Sequence, residues 1–342
     1  MGWAVSRSVL VTGGAGFIGS HVVQALLRRG DSVVVLDNFN PYYDVSRKRA
    51  NLVDVAASAA NPGQLRMIEG DVRDRALIGQ LFAEHVFDAV VHLAAMAGVR
   101  ASIEDPGLYI DVNVVGTLAL LDASAGRIGP ARATRPVFIL ASTSSVYGNT
   151  DQIPFVETDR CDRPLAPYAA SKRAAELLGH TYHHLYGLNV TVTRFFTVYG
   201  PRGRPDMMAY KVADSIFLGR EVPLFNGGQM YRDWTYVGDI TAGILAAVDH
   251  PLGYEVLNLG RGQPVLLAEF VREIEARTGH KGNLVPAPAP DTDILSTHAD
   301  TTKAERLLGY RPVVSVPEGV ARFLDWYEQV VRPSARVGGG VT

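Results

Sequence analysis

Near the start of the chain, Ser8-Val-Leu-Val-Thr12 runs without a break into Gly13-Gly14-Ala15-Gly16-Phe17-Ile18-Gly19 and then into helix-like sequence to residue 29. An apolar strand, a glycine turn and a helix in that order commit this segment to a βα unit with an open helix N-terminus. The glycines let backbone N–H groups approach a pyrophosphate at the positive end of that helix. A second apolar run, 32–37, ends in Asp37, placed to accept both hydroxyls of an adenosine ribose. Gly13, Gly16, Phe17, Ile18, Gly19 and Asp37 are therefore candidate dinucleotide contacts, extended by Asn38 and Asn40. NAD is favoured over NADP. Asp37 would repel a 2′-phosphate, Asn38-Phe39-Asn40 brings no arginine, and Arg47 and Arg49 read as a solvated helix face.

Further apolar runs at 64–70, 88–94, 137–142 and 189–196 alternate with helical patterns near 74–84, 105–124 and 168–186. Such alternation implies an α/β fold, a doubly wound parallel (Rossmann) sheet covered on both faces. Asp71-Val72 and Leu93-Ala94-Ala95 follow strand ends, where ligands bind in such sheets. After residue 197 turn residues dominate, with a Pro-rich connection at 286–293 and helical pattern at 266–278, 300–308 and 316–331. The expected division is a cofactor domain over 1–196, a smaller C-terminal α/β substrate lobe over 197–335 with some crossings back, and a disordered tail at 336–342.

A net charge of -2, from 33 Lys+Arg against 35 Asp+Glu, offers no global attraction to nucleic acid or anionic membrane. The single cysteine, Cys161, excludes an internal disulfide, and no Cys/His spacing resembles a metal site. The N-terminus lacks a signal-peptide pattern and no apolar run reads as bilayer-long, so a cytoplasmic protein is expected.

Tyr168 and Lys172 stand four residues apart, on one face of a helix. There the lysine's charge is expected to depress the tyrosine's pKa, making the phenolate a base near neutrality. The strand before that helix ends in Ser142-Thr143-Ser144-Ser145, whose hydroxyls reach the same sheet edge.

TGGAGFIG, the Asp-Asn after the second strand, HLAA, STSSVYG and YAASK together resemble the extended short-chain dehydrogenases, specifically the nucleotide-sugar epimerases and dehydratases. The resemblance covers about residues 8–330. It implies Thr143 as hydroxyl partner, Tyr168 as base, Lys172 as its tuner and a ribose ligand, and Asn113 on the helix behind the nicotinamide site. It also implies Arg232 on the nucleotide diphosphate, with Phe225 in the same substrate pocket.

Dehydratases of this kind carry Asp-Glu after the threonine and uronate decarboxylases carry a glutamate, whereas here Ser144 and Ser145 stand. Without an extra carboxylate, oxidation and re-reduction at C4 is the simplest chemistry. The run from Thr197 to Met208, T-V-Y-G-P-R-G-R-P-D-M-M, resembles the UDP-glucuronate 4-epimerases. That resemblance sets Arg204 against a C6 carboxylate, where a guanidinium fork fits, and draws in Arg100. Where relatives place an arginine or glutamine followed by Pro-Gly-Asp, this chain has Pro290-Asp-Thr-Asp293, leaving Asp293 as a ribose ligand. The expected activity is interconversion of UDP-glucuronate and UDP-galacturonate with NAD, in a homodimer formed by helices near 105–124 and 168–186. A neutral-sugar (UDP-glucose/galactose or N-acetylhexosamine) 4-epimerase, a UDP-glucuronate decarboxylase and an idle NAD-sensing protein are the alternatives.

Overall fold

The computed structural model describes residues 6–333; the tail expectation at 336–342 lies outside them. Seven parallel strands form the central sheet: β1 (Ser8–Thr12), β2 (Ser32–Asp37), β3 (Leu65–Glu69), β4 (Ala89–His92), β5 (Val137–Thr143), β6 (Val190–Phe195) and, much later, Tyr254–Leu259. Their spatial order is Tyr254–Leu259, β6, β5, β4, β1, β2, β3. The order reverses beside β1, so a crevice opens at the carboxyl ends of β1 and β4, where ligands bind in open α/β sheets. Val9, Leu10 and Val11 are fully buried, as a strand covered on both faces requires.

Helix α1 (Phe17–Arg29) packs with the helix Val237–Asp249 on one face. On the other, α3 (Arg75–Glu84) and the stretch from Pro106 to Ser124 lie beside the long helix Pro167–Tyr186. Val237–Asp249 and Tyr254–Leu259 both return to the first domain from beyond residue 196. The periodicity gave no strand at 254–259 because Glu255 and Asn258 break its apolar run.

The α2 helix (Val45–Ala56), expected only as a solvated face around Arg47 and Arg49, has a polar mean composition. Yet Lys48, Leu52 and Val55 sit at helical spacing on its buried face. The region after 197 contributes three small two-stranded sheets: Thr197–Tyr199 with Trp234–Tyr236, Tyr231–Arg232 with Val265–Leu266, and Val222–Phe225 with Leu284–Ala287. Asp233 ties this region together, its carboxylate accepting from the backbone N–H of Arg261, Gly262 and Ala299. One expectation is corrected. Pro106–Ser124 is 19 residues long and apolar enough to cross a bilayer, but more than half of it is buried inside the protein. Burial in a core selects the same composition.

Candidate active site

Two cavities lie at the carboxyl edge of the sheet. The larger, about 1180 Å³, is lined by Gly13, Gly16, Phe17, Ile18, Gly19, Asp37, Asn38, Asn40, Val72, Leu93, Ala94, Ala95, Ser142, Tyr168, Lys172 and Arg204. The glycine loop is tight because it must be. A Cβ on Gly13 would lie 2.7 Å from the Ala94 nitrogen, and one on Gly19 would lie 2.1 Å from the Gly13 carbonyl oxygen. Asn51 of α2 donates to the Ala15 carbonyl and so braces the loop from below (3.0 Å). The first turn of α1 has no side-chain cap and no acid, so its N–H groups face the cleft free for an anion.

Asp37 accepts one backbone N–H on each oxygen, from Ala15 and Phe39, which fixes the carboxylate while leaving lone pairs for a diol. These features fit an adenine dinucleotide with an unphosphorylated ribose. Lys48 also lines this end, its ammonium donating to the Asn40 carbonyl (2.7 Å). Read from sequence only as a solvated face, this helix gave no reason to bring in Lys48, nor Tyr42 and Tyr43 on the loop after β2. Arg49 is an exposed partner of Glu69, as a solvated face suggests. Arg47 is not solvated in that way: it lies over the Tyr210 ring, 4.6 Å from the centroid.

Three expected cofactor contacts have protein partners of their own. Asn113 is fully buried, with its amide satisfied by Met96 backbone groups and the Ser171 hydroxyl, so it shapes the wall behind the cleft. It sits in a π-helical turn (Asp111–Val115), which swings the amide toward the Met96 loop. Asp71 does not line the cleft; its carboxylate is held by Arg73 and Asn38, and the Arg73 contact pulls its pKa down to about 2. The Ser142 hydroxyl turns away and donates to buried Glu176 (2.5 Å).

Behind this wall runs a buried chain of hydrogen bonds. Thr117 donates to the Asn113 carbonyl, so its oxygen accepts from His92 Nε2–H, and His92 Nδ1 accepts from the Thr12 hydroxyl. Burial lowers the His92 pKa to about 3, keeping the ring neutral. Thr12 in turn receives the Ala94 N–H. This chain fixes the strand ends on which Leu93 to Ala95 stand.

At the inner end, Tyr168 and Lys172 share the face of Pro167–Tyr186 turned to the cleft. Burial raises the Tyr168 pKa; against it work a hydrogen bond with the Thr143 side chain and the charge of Arg204. The groups that act on the phenol here are thus Thr143 and Arg204, where Lys172 was expected. Lys172 itself is 3% exposed, and burial lowers its pKa to about 8 while Glu176 opposes the fall.

The second cavity, about 680 Å³, is lined by Ser144, Ser145, Thr197, Arg232, Asp293 and Thr297, among others. Thr143, between Ser142 of the first lining and Ser144 of the second, is bonded to Ser145 on one side and Tyr168 on the other. Arg232 donates to the Tyr231 and Leu295 carbonyls. Asp293 pairs with Arg100 at 2.9 Å, and the Arg100 guanidinium lies 4.2 Å over the Phe225 ring. Arg204 is set apart from this group: it lines the cofactor cleft, forked onto Asp206 at 2.9 and 2.7 Å. Among the described residues no cluster of His, Cys, Asp and Glu could hold a metal ion.

Residues 9–260 match the model of the NAD dependent epimerase/dehydratase family. UDP-glucuronate 4-epimerase 4 of Arabidopsis thaliana is 42% identical over 338 residues, covering 94% of this chain and 75% of that protein. UDP-glucuronate 4-epimerase of Thermodesulfobacterium geofontis is 40% identical, covering 94% of this chain and 96% of that protein. The crystal structure of UDP-glucuronic acid 4-epimerase from Bacillus cereus, in complex with UDP-glucuronic acid and NAD, superposes with a TM-score of 0.85 at 32% identity, covering 94% of this chain and 99% of that one. Fold, glycine loop and Tyr-Lys helix agree with that relationship: the chain belongs to the NAD-dependent epimerase/dehydratase family.

Proposed function

We propose that this chain interconverts UDP-glucuronate and UDP-galacturonate by epimerisation at C4, through a 4-keto sugar, with NAD held in the larger cavity. The observation that carries the reading is Tyr168 in the larger cavity hydrogen-bonded to Thr143, with Ser144 and Ser145 lining the second cavity where an added acid or base would otherwise stand. Bound NAD supplies the hydride acceptor, and then donor, that makes C4 oxidation reversible.

The protein's residues do the rest. Tyr168 takes the C4 hydroxyl proton and returns it to the same oxygen once the keto sugar has turned over, so that C4 is re-reduced on its opposite face. Thr143 holds the C4 oxygen and the phenol in line. Lys172 serves as a ribose ligand and fixed donor beneath them. Arg232 lies in the second cavity for the diphosphate. With a ketone at C4 the C6 carboxylate becomes a β-keto acid, prone to lose carbon dioxide. Arg204, lining the same cleft as Tyr168, restrains that carboxylate near the ring plane, where its bond to C5 aligns poorly with the carbonyl.

We read the enzyme as a cytoplasmic homodimer. Exposed Ile110 and Val115 lie beside exposed Leu177 and Leu185 on adjoining helices, an apolar face that a second copy would cover. A lone buried cysteine suits a reducing compartment. Incubating the purified chain with UDP-glucuronate tests the activity: UDP-galacturonate is expected, and it disappears in Tyr168→Phe. A pentose as sole product, or turnover of neutral sugars only, overturns the reading. A monomer mass in light scattering overturns the dimer.

A further inference from the structure

The loop after Tyr199 crosses from the sugar side to the rim of the cofactor cleft and is fastened along its length. His21 Nε2 bonds the Pro201 carbonyl (2.9 Å), and Arg202 donates to Gln24 (3.2 Å), both on α1. At its end Arg204 turns into the cleft and spends its Nε and one Nη2 hydrogen on the two oxygens of Asp206. Tyr42, across the cleft, donates its hydroxyl to the same carboxylate (3.3 Å). Tyr42 packs closely on Gly98, where a Cβ would come within 2.6 Å of that hydroxyl oxygen. Asp206 is therefore gripped from both rims of the cleft.

A guanidinium has five N–H donors in a rigid fork, so one edge given to Asp206 leaves the Nη1 side available. The pair is only partly exposed, with side chains at 22% and 34%. A neutral C6 hydroxyl can meet this pair without disturbing its charge balance. An incoming carboxylate meets a cation already matched, with a second carboxylate beside it.

We propose that Asp206 is a positioning residue that sets the sugar preference, by presenting Arg204 to the substrate as a half-used cation of fixed orientation. The inference rests on the acid-sugar reading of this site. Asp206 moderates the grip on a uronate: it keeps the carboxylate oriented without letting Arg204 bind it so tightly that the ring cannot leave and turn over.

The test measures affinity and turnover separately, for UDP-glucuronate and UDP-glucose, in the NAD-loaded enzyme. Affinities are read in the Tyr168→Phe background, where no chemistry intervenes. Asp206→Asn should raise the ratio of UDP-glucuronate to UDP-glucose affinity at least fivefold, and in active protein the change should lie in KM. Asp206→Ser, with the same loss of charge, should move the ratio the same way, which covers a failure of either variant to fold. In an Arg204→Ala background Asp206→Asn should shift the ratio less than twofold, since Asp206 acts through Arg204. A ratio that stays put or falls in both Asp206 variants overturns the proposal, as does an equal shift without Arg204. A wild-type chain that never converts UDP-glucuronate overturns the proposed function instead, a separate result from the affinity ratio.

Discussion

Glu176 and Arg194 form a two-pronged ion pair in the interior: Nε meets Oε1 at 3.0 Å and Nη2 meets Oε2 at 2.8 Å, with the side chains 0% and 1% exposed. Glu176 lies one helical turn past Lys172, while Arg194 belongs to β6. The same carboxylate accepts from Ser142 at the end of β5 and from Arg173. The pair thus joins the helix carrying the base to the strands that carry Thr143 and lead to the Arg204 loop.

Truncating one partner strands a buried charge, which costs about 3–5 kcal/mol in comparable sites. Glu176→Ala and Arg194→Ala should each lower the denaturant midpoint by an amount of that order. Replacing both with apolar residues of similar volume should recover part of the loss. A single-variant cost below about 1 kcal/mol would show that the pair contributes little.

Much of this could be read from the residues, and the gaps have physical causes. Five of the six strands before residue 196 announced themselves because both faces are covered, which forces unbroken apolar runs such as Val9 to Val11; the sixth, β3, is a mostly exposed edge strand read from its alternation of apolar and polar residues. Tyr254–Leu259 did not announce itself, because Glu255 and Asn258 break its apolar run. Asp37 was legible because its role depends on its place at a strand end. Asn113 was found as part of the site but not its job, since only the fold reveals Met96 and Ser171 closing around its amide. Arg204 could be singled out from its motif; its fork onto Asp206 depends on a loop conformation with Arg202 at a φ of 61°. No periodicity encodes such a turn.

Gly19 has no room for a side chain. The atom that an added Cβ would meet at 2.1 Å is backbone, the Gly13 carbonyl, so it cannot swing aside as a side chain would. Gly19→Ala should therefore open the pyrophosphate loop and weaken NAD binding at least tenfold, while the melting temperature of the cofactor-free protein changes little. Unaltered NAD affinity in a calorimetric titration would show that the loop does not bear on the dinucleotide.

The low pKa of Lys172, about 8 as a result of burial, gives NAD binding a pH dependence with a defined sign. A ligand that hydrogen-bonds the ammonium prefers the protonated form, so binding raises this pKa and takes up a proton at pH values above 8. Affinity should hold steady below about 8 and fall as the pH rises beyond it, by no more than about tenfold per unit for one proton. Lys172→Met should flatten the profile between about pH 7 and 9.5. Glu176→Gln, which removes the charge that holds the lysine pKa up, should move the fall to lower pH. An identical profile in wild type and Lys172→Met would assign the proton elsewhere.

Substrate choice gives the sharpest test of Arg204. In Arg204→Ala the C6 carboxylate loses its cation, and Asp206 is left as an unpaired carboxylate on the same rim, held by Tyr42 alone among the side chains that now grip it. Both changes act against a uronate, through lost attraction and through new like-charge repulsion; neither acts strongly on a neutral hydroxymethyl group. Truncating one member of a desolvated charge pair commonly costs about 2–5 kcal/mol, and partial exposure of this pair places the expectation toward the low end of that range. The kcat/KM for UDP-glucuronate should therefore fall by roughly thirtyfold or more, from about 2 kcal/mol at 1.4 kcal/mol per decade, while that for UDP-glucose falls far less. If Arg204 also restrains the carboxylate of the keto sugar, a pentose product should emerge in the variant and be absent from wild type. Should both sugars lose the same factor, with no pentose formed, Arg204 serves only to fix its loop, and the preference for an acid sugar must arise from Ser144, Ser145 and Thr197 instead.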